Sequence, residues 1–283
     1  MIPALLAACA GTPVDDAAAT TEADAQASAE VGASATDQAA LDSAIAGSWR
    51  DPKNVQRDQH RHPRETLAFF GVAPGQTVIE ITPGGGWYAE ILAPYLKDGR
   101  YVAAVWDDAI PGQPKYRYDL NKTLRAKFAR NAAVYGAPEV RVFDPKAPSF
   151  GPAASADTVL TFRNAHNWVA DGTAEAYFKA YFDVLKPGGT LGVVDHRAKP
   201  GTDLATMKKS GYLTEALVID LAQGAGFTLD AKSEVNANPR DTADHPNGVW
   251  TLPPNNRHDA ADAAKYQAIG ESDRMTLRFK KPG

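Results

Sequence analysis

Glu80, Thr82, Gly84 and Gly86 stand at alternate positions directly after the apolar residues Val78 and Ile79. Glycines let the main chain turn tightly and let a ligand come close to it. Tyr88, Ile91, Leu92, Tyr95 and Leu96 follow at helical spacing, so the turn leads into a helix with open N–H groups at its start. That combination suits cofactor binding. A strict G-x-G-x-x-G dinucleotide fingerprint is not met. The looser form ending in alanine is met by Gly84, Gly86 and Ala89, so that reading stays open. A phosphate-cradling P-loop needs Gly-Lys-Ser/Thr, which is absent here. An ordinary strand-to-helix turn without a ligand is the plain alternative.

A second group can move protons. Asn164, His166, Asn167 and Trp168 follow an apolar run. An imidazole there accepts a proton near neutral pH. Asp195 and His196 form another acid-base candidate at the end of a later run. A lone histidine is more often structural. His60 and His62 lie two apart, whereas metal ligands on a helix face lie three or four apart, so no metal site is expected. Trp49, Trp87, Trp106, Trp168 and Trp250 can line an apolar pocket, although buried core is the commoner fate of tryptophan.

Alternating elements must position these groups. Strands are expected at 77–81, 101–106, 140–143, 158–162 and 191–194, each a short apolar run. Leu120, Leu124 and Phe128 mark one helix, and Phe178, Tyr181, Phe182 and Leu185 another. A helix over 211–223 leads to a strand near 229–235, and 274–280 alternates apolar with polar residues. Such alternation implies a doubly wound, mostly parallel sheet whose ligands bind beyond the C-terminal strand ends. The residues at the ends of the first five strands are therefore expected to converge. Residues 236–272 are too long for an ordinary connection and are expected to form a functional cap.

The whole chain has 283 residues, 44% of them hydrophobic, enough for one sizeable domain plus a tail. Its net charge of −4 argues against nucleic acid as a partner, since phosphate binding needs a basic surface. The sole cysteine, Cys9, excludes an internal disulfide. Its setting, Leu6-Ala7-Ala8-Cys9, looks like the lipobox of a bacterial lipoprotein, which would place a lipid anchor at Cys9 and the protein at the cell envelope, facing the periplasm. No basic n-region precedes it, which suggests a start upstream of Met1; a cytoplasmic protein with an alanine-rich terminus is the alternative. Residues 1–9 thus read as a signal remnant, 10–40 as a disordered tether poor in large apolar side chains, and 41–283 as the folded domain.

The stretch from Glu80 to Gly86 resembles motif I of the class I S-adenosylmethionine (SAM) dependent methyltransferases, acid-x-Gly-x-Gly-x-Gly, with Thr82 in place of the first glycine. Leu185-Lys186-Pro187-Gly188-Gly189 and Ala225-Gly226-Phe227 resemble later segments of the same superfamily. Arg57-Asp58 with Arg61-His62-Pro63, the run Phe162–Trp168, Ser233–Asn236 and Gly270–Met275 resemble a group of predicted exported bacterial methyltransferases. The resemblance implies a Rossmann-like, seven-stranded, mostly parallel sheet with a C-terminal antiparallel strand. It implies SAM as cofactor; it does not imply the acceptor, which is expected to be an unidentified small molecule. Glu80, Thr82, Gly84 and Gly86 would surround the methionine part of SAM. Asp107 or Asp108, with Asp107 preferred, would hold the ribose, and Asp144 the adenine amino group. Asn164 and His166 would border the transferred methyl. An exported enzyme would need a supply of SAM, so an envelope lipoprotein that keeps the fold but binds another ligand without catalysis is the rival expectation.

Overall fold

The structure, a computed structural model, describes Met1 and residues 34–283. Cys9 with its lipobox, and the tether as far as residue 33, lie outside the described residues. The first helix, α1 (Ala35–Ile45), begins within the stretch expected to be tether. Ser34 caps it: its hydroxyl accepts from Asp37 N–H, and the Asp37 carboxylate accepts from Ser34 N–H. Reciprocal capping satisfies two orphan donors and lets an alanine-rich turn hold helix.

Short helices α2 (Pro52–Val55), α3 (Asp58–Arg61) and α4 (Pro63–Phe69) lead to β1 (Thr77–Ile81). The glycine turn follows, then α5 (Ala89–Tyr95), β2 (Arg100–Trp106), α6 (Lys115–Arg130), α7 (Ala132–Tyr135), β3 (Glu139–Phe143) and β4 (Ala156–Phe162). Next come α8 (Ala165–Asp171), α9 (Ala174–Val184), β5 (Leu185–His196), α10 (Leu204–Ser210), α11 (Glu215–Gly224) and β6 (Thr228–Ser233). Residues 236–272 contain two 3-10 turns and α12 (Ala263–Ile269), before β7 (Arg274–Lys280). The expected turn at Lys186–Gly189 is a bulge inside β5: pairing with β4 jumps from Ala156–Leu185 to Thr158–Thr190.

The strands form one seven-stranded sheet in the order β3-β2-β1-β4-β5-β7-β6. β1 to β5 pair in parallel, and β7 runs antiparallel to both β5 and β6. Strand order reverses between β1 and β4, the crevice where open α/β sheets take ligands.

Side-chain alternation sorts the interior into two layers. Ile79, Ile81, Val102, Val159, Leu191 and Val193 pack on one face with α8, α9 and α11. Val78, Tyr101, Ala103, Leu160 and Val194 pack on the other with α1, α4, α5 and α6. The same period of two sends Glu80 to the second face, with Val78, and Asp195 to the first, with Val193. This alternation separates two of the expected site groups by the thickness of the sheet.

Candidate functional site

A cleft of about 900 Å³ opens on the second face, over the C-terminal ends of β1 and β4. Glu80, Thr82, Gly84, Gly85 and Asn164 line it from the strand side. Lys127 of α6 and the segment from Trp49 to Arg61 line it opposite. That segment is pinned to α5 and its preceding turn by indole hydrogen bonds: Trp49 donates to the Glu90 carbonyl and Trp87 to the Asn54 carbonyl, each at 2.9 Å. The Arg50 guanidinium grips both oxygens of Asp58, at 2.7 and 2.8 Å.

Glu80 lies almost wholly buried beneath the turn. It pairs with Ala103 across the sheet, and Tyr101, two residues earlier on the same face, donates its hydroxyl to Glu80 Oε2 at 2.6 Å. Burial raises the Glu80 pKa to about 7, with the Tyr101 hydrogen bond opposing the rise. Thr82 takes φ +48°, a left-handed conformation unfavourable for a β-branched residue. Its buried hydroxyl has no hydrogen-bond partner. The position therefore keeps a glycine's backbone without a glycine's freedom. Gly84 and Gly85 face open space, so a Cβ at either would meet nothing within 4 Å. Gly86 is different: its Cβ would strike Leu124 at 2.8 Å, and its role is to let α6 close against the turn.

Asn164 lines the cleft, and its amide donates to the carbonyls of Ile81 and Phe162 at 3.1 and 3.2 Å, tying β1 to β4. The three aspartates expected around the adenosine half sit outside these walls. Asp107 at the end of β2 accepts from Ala109 N–H at 2.9 Å, and Asp144 after β3 accepts from Lys146 N–H at 2.8 Å; each uses Oδ1 to cap its own turn. Their Oδ2 atoms take no hydrogen bond from the described residues. Asp108 Oδ1 accepts from Asn121, 2.6 Å away, which also holds the Trp106 carbonyl.

His166, Asp195 and His196 come together at the C-terminal end of β5. Asp195 has no exposed surface and accepts from His166 Nδ1 at 2.9 Å, His166 N–H at 3.2 Å and His196 N–H at 2.8 Å. His196 Nδ1 lies 2.6 Å from the Ser272 hydroxyl. Burial, and next the neighbouring His166, hold the His196 pKa well below the usual value, so this imidazole is neutral. These three residues have metal-ligand atoms within 4.8 Å of one another, a grouping the spacing of His60 and His62 gave no hint of. Both Asp195 oxygens are already committed to protein donors. Trp250, from the expected cap, packs against His166 with ring centroids 6.2 Å apart. Residues 236–272 therefore cover the end of β5, and none of them is a wall of the main cleft.

Sequence reasoning named the strand ends but missed the cleft's cationic wall. Arg57, Arg61 and Arg163 all face it. Arg57 and Arg61 are four apart, a spacing at which like charges repel on one helical face, and that was the available signal.

No protein-family model and no curated protein matches the chain. Solved structures do. A SAM-dependent methyltransferase from Aquifex aeolicus superposes with a TM-score of 0.53 at 16% identity, over 84% of this chain and 97% of that one. A SAM-dependent methyltransferase from Methanosarcina mazei gives 0.50 at 14% identity, over 75% and 94%. The fold is that of the class I methyltransferases. The [4+2]-cyclase SpnF is similar too, with a TM-score of 0.54 at 15% identity over 87% of this chain and 93% of that one. One architecture thus accompanies differently named activities, and function must be argued from the site.

Proposed function

We propose that the protein is a SAM-dependent methyltransferase acting on a small-molecule acceptor held in the cleft. The observation that carries this reading is the unfilled space above Gly84 and Gly85, beside a buried Glu80, at the switch point of the sheet. Glu80 would accept from the donor's ammonium group, and the orphaned Thr82 hydroxyl would find a partner in the same aminoacyl half. Asp107 would take the ribose hydroxyls and Asp144 the adenine amino group through carboxylate oxygens that the turns leave free, whereas Asp108 is engaged by Asn121 and Arg125. When bound, SAM supplies a methyl on a sulfonium leaving group, so the chain's task is to hold donor and acceptor in line. The expected proton acceptor, His166, is not a wall of the cleft, so proton removal from an acceptor held there is not assigned to it. Asp195 fixes its Nδ1–H, which leaves Nε2 as a hydrogen-bond acceptor.

Calorimetry of the full chain with SAM and S-adenosylhomocysteine tests the reading. Binding is expected, and Glu80→Gln should weaken it about tenfold by removing the ammonium's charged partner. Absence of binding at high micromolar ligand would sink the methyltransferase reading. The strained Thr82 supports a second reading, ligand binding without methyl transfer. A protein that binds S-adenosylhomocysteine but transfers no labelled methyl to any anionic or neutral acceptor offered would favour it. We also propose attachment to the envelope through Cys9; in fractionated cells, Cys9→Ser should move the protein from membranes to the soluble fraction.

A further inference from the structure

The inner end of the cleft holds more positive charge than the protein neutralises. Three guanidinium groups, of Arg57, Arg61 and Arg274, share the carboxylate of Glu271, and a fourth, of Arg163, lies near it without an ion pair. Arg57 donates to Glu271 at 2.5 Å, and Arg274 to its other oxygen. Arg61 Nε lies 3.6 Å away. Burial alone would raise the Glu271 pKa, but the charges of Arg274 and Arg61 outweigh it and hold the carboxyl well below its usual range. The structural work of this carboxylate, joining α3 to the start of β7, is done through Arg57 and Arg274.

Arg61 and Arg163 are left over. Arg61 is 5% exposed, and its Nε and Nη2 have no hydrogen-bond acceptor. Its guanidinium is held over the Trp87 ring at 4.6 Å, which fixes its plane without neutralising its charge. Arg163 makes no side-chain hydrogen bond or ion pair among the described residues. It sits at φ +61°, a conformation that non-glycine residues rarely adopt and that accumulates at ligand sites. Both line the cleft, next to the end of β4 and across from the glycine turn. Arginine does not escape burial by losing its proton. An uncompensated buried cation is costly, so a counter-charge is missing at Arg61, while half-buried Arg163 adds an unpaired guanidinium to the same cleft wall.

We propose that Arg61 and Arg163, with Arg57 at the rim, bind an oxyanion, carboxylate or phosphate, carried by the methyl acceptor. This rests on the methyltransferase reading and adds the acceptor's chemical class. The donor's own carboxylate is the competing source of that charge, and the donor as a whole carries no net negative charge. Its aminoacyl group is a zwitterion and its sulfonium is positive, so SAM brings no net anion to the cluster. Paired guanidinium groups suit the flat, two-oxygen edge of a carboxylate or phosphate. The Arg163 position after β4 would hold that group beside the reacting centre.

The test is calorimetry of the full chain at low ionic strength with inorganic phosphate, S-adenosylhomocysteine and 5′-methylthioadenosine, the last lacking the aminoacyl carboxylate. Phosphate should bind the wild type, and Arg163→Gln should weaken it about tenfold or more. The same variant should leave S-adenosylhomocysteine within about twofold, and the two ligands should bind together. Arg163→Lys should recover part of the phosphate affinity. The Arg163 side chain has no hydrogen-bond or ion-pair partner among the described residues, so its variants should melt like the wild type. Equal phosphate affinity in wild type and Arg163→Gln overturns the proposal. So does an Arg163→Gln protein that loses S-adenosylhomocysteine but keeps methylthioadenosine, because the arginines would then hold the donor's own carboxylate. Phosphate binding without S-adenosylhomocysteine binding would sink the methyltransferase reading while leaving the anion site in place.

Discussion

Asp195 is held by three donors and has no contact with solvent. Oδ1 accepts from His166 Nδ1 and His196 N–H, and Oδ2 from His166 N–H. An asparagine preserves the shape but turns an NH₂ group toward at least one of these donors. One buried bond is then replaced by a donor facing a donor. Asp195→Asn is expected to cost about 3 kcal/mol in urea unfolding, within the range for breaking a buried charged network. Its effect on ligand affinity should be small, because Asp195 faces the α8 side of the sheet while Gly84 and Glu80 face the other. A variant as stable as wild type would mean that the three hydrogen bonds to this carboxylate contribute little to folding. A tenfold loss of S-adenosylhomocysteine affinity would place the His166–Asp195 pair closer to the donor than the register of β5 implies.

Two glycines show how an element can need glycine for opposite reasons. Gly84 has φ +60° and nothing opposite its Cα. Gly192 is in the middle of β5, where a Cβ would lie 2.7 Å from Leu160 Cδ2 and 2.8 Å from Phe70 Cδ1. Gly192→Ala should lose about 1–3 kcal/mol by overpacking and bind S-adenosylhomocysteine normally. Gly84→Ala should lose about 1 kcal/mol to the left-handed backbone, and its methyl should lower ligand affinity at least about tenfold by entering the cleft. Melting curves and calorimetry on the two variants separate packing from binding; unchanged affinity in Gly84→Ala would remove the turn from the site. Local pattern made these elements legible. Short apolar runs marked β1 to β5, and strict alternation marked β7. The start of α1 was missed because its cap pairs Ser34 with an aspartate rather than the usual glutamate or glutamine. The face on which each strand-end residue falls was readable from the period of two once the bounds were known. The arginine cluster was not, because Arg57, Arg61, Arg163 and Arg274 come from segments far apart in the chain, and only the sheet order brings them together.

Across the whole molecule, buried titrating groups oppose one another, and the pH dependence of stability follows from their signs. Glu80 holds its proton in the folded chain up to about pH 7, whereas the unfolded chain releases it near 4.5. Its contribution to stability therefore falls as pH rises through that window. His196, desolvated and next to His166, stays neutral when folded, whereas the unfolded chain takes up a proton below 6.5. Its contribution falls as pH drops below 6.5. His60 is lowered in the same direction, mainly by burial and partly offset by Glu271. Each fully shifted group changes stability by about 1.4 kcal/mol per pH unit. Between about pH 4.5 and 6.5 the Glu80 and His196 contributions slope in opposite directions, so the ligand-free wild type should show a flatter profile than either group alone would give, tilted upward by His60. Glu80→Gln removes the falling slope alone. Urea unfolding of that variant at each pH should show stability rising more steeply with pH than in the wild type over the same range. A variant profile parallel to the wild type would mean that Glu80 is already ionised beneath the glycine turn. The acid would then enter the cleft as a ready-made partner for an ammonium, with no proton to give up on binding.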